Sequence, residues 1–143
     1  MSGPGNARVV AAARALVGCR FRLHGRDGVH GVDCVGLAVL ALRAGGFRGA
    51  VPSGYAMRRG DAGRVCADVD AAGLMRVAAN MPGAPGDLLL LRIHAGQVHF
   101  AIATGDGMIH ADAMARRVVE RPGAGRWPIV ARWRLCDGPF TPD

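Results

Sequence analysis

This sequence contains no lysine, a single glutamate (Glu120) and no Cys-x-x-Cys pair. Its net charge of +7 comes from 18 arginines set mainly against ten aspartates. A GC-rich genome, which writes Arg for Lys and uses Ala and Gly freely, accounts for that balance. The other account is attraction to a polyanion, either nucleic acid or an anionic cell envelope. The arginines fall singly or in pairs (Arg58-Arg59, Arg116-Arg117), with no basic run, and aromatic residues make up only 5% of the chain. Without a basic run or rings for base stacking, nucleic acid is not an expected partner. Long apolar runs are missing as well. The stretch from Val35 to Leu42 falls far short of a bilayer span, so no transmembrane segment is expected. Arg8 and Arg14 flank only Val9 to Ala13, too little for the core of a signal peptide. The expectation is a chain made and folded in the cytoplasm.

The four cysteines (Cys19, Cys34, Cys66, Cys136) have no regular spacing. In a reducing compartment they read as free thiols, most of them small buried hydrophobes. At 143 residues and 50% apolar content, the chain suits one domain with a real core, spanning 1–143.

The pattern along the chain changes once. Asn6 reads as the N-cap of a first helix carrying Val9, Val10, Ala13, Leu16 and Val17, with Gly18 as its stop. A Gly- and charge-rich loop follows, from about Arg20 to Val32. A second helix is expected from Cys34 to Ala44, capped by Asp33, ended by Gly45-Gly46, and apolar nearly all round. Residues 45–67 read as irregular, and a weaker helix is expected within Ala67 to Ala79. After Pro82-Gly83-Ala84-Pro85-Gly86 come five strand patterns, Asp87 to Ile93, Val98 to Thr104, Met108 to Ala111, Arg117 to Arg121 and Ile129 to Leu135. Thr104-Gly105-Asp106-Gly107 suits a hairpin turn. Helices first and an antiparallel sheet afterwards describe an α+β domain.

Within this frame Cys34 is singled out by its surroundings. A thiol at a helix start, with His99 and His110 on later strands, is the parts list of a cysteine nucleophile with a base and an orienting group. On an antiparallel pair joined by an even loop, the two histidines share a sheet face. The simple Asp106-Gly107 register leaves them diagonal, so a different loop or a bulge is expected to bring them together. His24, His30 and His94 read as exposed loop residues. A zinc site on Cys34, His99 and His110 lacks the short ligand spacings of metal motifs, and no cofactor is expected.

Five blocks in order resemble those of the NlpC-type family of papain-like peptidoglycan endopeptidases. They are Gly18-Cys19-Arg20-Phe21-Arg22-Leu23-His24-Gly25, Asp33-Cys34-Val35-Gly36-Leu37, Ala84-Pro85-Gly86-Asp87-Leu88, His99-Phe100-Ala101-Ile102-Ala103 and Gly105-Asp106-Gly107-Met108-Ile109-His110-Ala111. The resemblance implies a papain-like fold, with Cys34 as nucleophile, His99 as general base and acid, and His110 as the third member. It implies attack on a peptide carbonyl in a peptidoglycan stem peptide, a thioester, and hydrolysis, with the Cys34 N–H as oxyanion donor. It sets Asp33, Phe21, Arg22 and Val35 on the substrate side, Asp33 holding a free amino end. Short members without a secretion signal resemble peptidases encoded with phage tail genes, which implies delivery to the wall by a phage-tail-like particle and its proteins.

The departures fall on the substrate side. Phe21 stands for the family tyrosine, Val35 for the serine beside the nucleophile, and Leu23-His24 for Trp-Gly. Polar groups that would read an amine are missing, which supports the chemistry better than one particular bond. The alternatives are a papain-like acyltransferase or amidase on another acyl substrate, and a non-catalytic tail-tip or adaptor module.

Overall fold

Helix α1 (Pro4–Ala15) opens on Pro4, whose fixed φ and missing N–H suit the first helical turn. That start lies upstream of the expected cap at Asn6. Asn6 is instead fully buried inside the helix, where its amide donates to the Pro85 carbonyl at 3.0 Å. It ties α1 to the loop before the sheet. Val17 lies beyond the helix and is exposed. These features belong to a computed structural model, which describes residues 3–50, 57, 59–94, 96–123 and 127–136.

The charged loop contains a small hairpin, β1 (Arg26–Asp27) with β2 (Gly31–Val32), that sequence reading passed over. Helix α2 (Cys34–Ala44) has the expected bounds. Asp33 caps it by accepting from the Gly36 N–H at 2.9 Å, and Gly45 ends it. Leu37, Ala38, Ala41 and Leu42 are at most 1% exposed, so this helix forms the centre of the main core. Gly36 is required by a close approach. A Cβ there would overlap the Gly25 carbonyl oxygen, so the glycine lets the hairpin close against the start of α2.

The third helix, α3 (Ala62–Ala71), begins earlier than the Ala67 to Ala79 window. Asp61 caps it by accepting from the Arg64 N–H at 3.0 Å, and Val65 and Val69, one turn apart, are its buried stripe. Gly73, with φ at 101°, follows its end. The chain then extends as β3 (Met75–Arg76), where the sequence pattern suggested helix. Part of the expected irregular stretch, residues 51–56 and 58, lies outside the described residues.

The five remaining strands are β4 (Leu88–His94), β5 (Gln97–Ala103), β6 (Gly107–Asp112), β7 (Arg117–Pro122) and β8 (Ile129–Arg134), each within a residue or so of its expected limits. With β3 they form one antiparallel sheet in the order β3-β8-β4-β5-β6-β7. The domain is therefore α+β, as expected. Alternation divides the sheet. Leu88, Leu90, Phe100, Ile102 and Ile109 join Leu37 and Leu42 of α2, while Leu89, Leu91, Ala101, Ala103 and Met108 form a smaller cluster with Ile93 and Trp127. The sheet is pinned by a buried ion pair. Asp87 accepts from Nε and Nη2 of Arg134 at 2.7 and 2.9 Å and from the Ala84 N–H at 2.8 Å.

Candidate active site

The β5–β6 hairpin turns as expected, with the Thr104 N–H donating to the Gly107 carbonyl at 2.9 Å. Its ladder holds two pairs, Ile102 with Ile109 and Ala103 with Met108. Continuing that register sets His110 opposite Ala101, so His99 and His110 are diagonal neighbours on one face. The turn centres on Gly105-Asp106 and not on Asp106-Gly107, so a different loop, one of the two expected routes, and not a bulge, sets this register. Diagonal cross-strand positions lie within reach of long or aromatic side chains. Here His99 Nε2 and His110 Nδ1 stand 3.1 Å apart, one donating to the other, with the rings nearly perpendicular at 87°.

Cys34 arrives at this place with the helix layer. The Phe100 and Val35 backbone N–H groups both act to lower the Cys34 thiol, against burial. Cys34, His99 and His110 line one cavity of about 370 Å³, together with Phe21, Asp33 and Val35. The structure therefore gathers the sequence-predicted residues around a single space, except Arg22. Arg22 is exposed and is not among the lining residues.

Sequence reading missed two residues here. Trp127 packs edge-on against both imidazoles, with ring centroids 6.3 Å from His99 and 5.5 Å from His110. Trp127 sits in the loop before β8, and its only signal was that the chain has two tryptophans. The other is Arg26, which donates to Asp33 Oδ1 at 2.8 Å. The Asp33 Oδ2 accepts from the His24 N–H at 2.8 Å. Asp33 is 5% exposed, and with the Gly36 N–H it has three donors already in place.

Burial dominates the electrostatics. It pushes the Cys34 thiol up to about 12, with the Asp33 carboxylate adding to the rise and the Phe100 and Val35 amides and Arg26 opposing it. Burial likewise pushes His99 down to about 3, and His110 adds to that fall. His110, 1% exposed, is lowered by burial too, against the pull of the Asp112 carboxylate. Its Nε2 is buried with no hydrogen-bond partner among the described residues. A helix start does not by itself keep this thiol ionised. Burial favours the neutral thiol and the neutral imidazole over their charged forms.

No acceptor among the described residues meets the Cys34 N–H, which points from the first turn of α2. All four cysteines are free, Cys136 being exposed. Exposed His24 and His30 sit beside the hairpin, the latter against Asp27 at 3.1 Å. Among the described residues, no three His, Cys, Asp or Glu side chains are grouped to hold a metal ion. No described helix is long and apolar enough to cross a membrane.

No protein-family model and no curated protein matches this sequence. Solved structures do. The chain is similar to NlpC1 from Trichomonas vaginalis, with TM-score 0.68 and 20% identity over 94% of this chain and 45% of that one. It is similar to the peptidoglycan hydrolase RipB from Mycobacterium tuberculosis, with TM-score 0.62 and 22% identity over 94% of this chain and 66% of RipB. It also matches RipD from the same organism, described as a non-catalytic NlpC/p60 domain protein adapted to peptidoglycan binding, with TM-score 0.60 and 18% identity over 94% and 99%. The chain spans about half the length of NlpC1. It has the NlpC/p60 fold, an α+β papain-like architecture that serves both hydrolases and a binding protein.

Proposed function

We propose that this protein is a cysteine hydrolase that cleaves peptide or amide bonds in cell-wall stem peptides through Cys34, His99 and His110. One observation supports this reading most: the 3.1 Å His99–His110 contact opens on the same cavity as a thiol set at a helix start. The His99 Nε2–H donates to His110 Nδ1, which leaves the His99 Nδ1 lone pair for the thiol proton. Cys34 Sγ attacks the carbonyl carbon as its proton passes to His99, and the Cys34 N–H receives the developing oxyanion. The imidazolium then protonates the leaving amine, and the C–N bond breaks to give a thioester. Water, deprotonated by His99, attacks the thioester and releases the acid and the free thiol. Because burial disfavours both thiolate and imidazolium, the proton moves with the attack and not before it. Delivery to the wall by a phage-tail-like particle belongs to the same proposal and rests on the sequence resemblance alone.

A non-catalytic, wall-binding role is the second reading, favoured by the raised Cys34 thiol and the fold shared with RipD. Incubation with defined muropeptides, with products identified by mass, separates the two. Cleavage that disappears in Cys34→Ala supports the hydrolase. Retention on wall fragments without any new mass supports the binding role and overturns the hydrolase.

A further inference from the structure

The cavity wall carries two acidic side chains, Asp33 and Asp112, and each is neutralised in the same way. Asp33 holds two backbone N–H groups, of Gly36 and His24, and the Arg26 guanidinium, at 2.8–2.9 Å. Asp112 holds the N–H groups of Met114 and Ala115 at 2.9 and 3.1 Å and the Arg121 guanidinium at 2.7 Å. Burial raises the Asp112 carboxyl, but Arg121 and these amides outweigh it and keep the group ionised and matched. Most of the remaining wall is apolar, including Phe21, Leu23, Val35, Met57, Ile93 and Met114. Leu23 and Met114, 50% and 92% exposed, form the open rim, and a charged group held beneath them against the buried wall gives up part of its water and meets no uncompensated counter-charge.

We infer that the acyl group accepted by Cys34 is uncharged and apolar beside its carbonyl, with Arg26 and Arg121 setting that preference by occupying the two wall carboxylates. The inference rests on the hydrolase reading and names its substrate class. In a stem peptide the condition is met by an alanyl or side-chain-amidated residue, and not by one bearing a free carboxylate or ammonium. Asp33 then serves as cap and ion-pair partner and does not hold a free amino end.

The test uses p-nitrophenyl esters with one constant leaving group. Butanoate to octanoate esters are compared with 6-aminohexanoate and adipate esters, Cys34→Ala giving the background. The kcat/KM rises roughly fourfold per added methylene until the cavity is filled. The two charged esters fall on the order of 100-fold below heptanoate. Arg26→Gln frees Asp33 and improves the ammonium ester relative to heptanoate by about tenfold, and Arg121→Gln does the same through Asp112. Equal rates for charged and neutral esters, or no dependence on chain length, overturn this inference and leave the hydrolase reading standing. No Cys34-dependent turnover of any ester overturns both.

Discussion

Replacing His99 by Gln should make the fold less sensitive to mild acid, even though it removes the proposed base. Burial holds the His99 imidazole near a value of about 3, against about 6.5 in the unfolded chain. Between those values the unfolded chain binds a proton that the folded chain refuses. Stability from this group is therefore complete above pH 6.5 and is lost as pH falls toward 3. At pH 5.0 the loss amounts to about 2 kcal/mol, a large share of the roughly 5–15 kcal/mol that stabilises a typical domain. Glutamine does not titrate and so escapes this loss, whatever its own packing cost. The assay is urea unfolding at pH 7.5 and 5.0, followed by the fluorescence of the fully buried Trp133. Comparing the change within each protein cancels the packing difference and the acid groups common to both. Wild type should lose about 2 kcal/mol more than His99→Gln across that interval. Equal losses would show that His99 is not buried as a neutral ring.

Two further outcomes follow from the same geometry. Gly36→Ala should destabilise the domain by about 1–3 kcal/mol in urea unfolding, because its Cβ overlaps the Gly25 carbonyl oxygen and forces the hairpin off α2. His110→Ala should lower kcat by about 10- to 1,000-fold with a smaller change in KM, since it frees the His99 ring while nucleophile and base remain. An unchanged kcat on a cleaved substrate would remove the orienting role from His110.

What could be read from the sequence was local. Asp33 preceding Cys34, and Gly45-Gly46 after Ala44, mark both ends of α2 through short-range capping chemistry. The strands from Leu88 onward show apolar residues broken by Gly, Pro and Asp turns, and their limits were legible to within a residue or so. Helix α3 was misplaced because Val65 and Val69 alone turn inward, and Asp61 is an unremarkable loop residue until its carboxylate meets the Arg64 N–H. The remaining gaps were tertiary. Arg26 reaches Asp33 only because β1 folds back over β2, and Trp127 meets the imidazoles only after β8 pairs with β4. The contact between His99 and His110 depends on side-chain reach across a diagonal, which pairing arithmetic does not contain. Desolvation of Cys34 is likewise a property of its neighbours, and it opposes the ionisation that a helix start alone suggests.

The central claim is that Cys34 forms a thioester with the acyl half of a cleaved wall peptide. Acid-quenching a reaction with defined muropeptides within the first turnovers, then measuring intact mass and mapping the modified peptide, tests it directly. The account predicts a mass increase equal to the acyl fragment, located on Cys34, decaying as free acid appears, and absent from Cys34→Ala. Muropeptide cleavage that proceeds undiminished in Cys34→Ala, or an adduct located on Cys19, Cys66 or Cys136 instead, would contradict it.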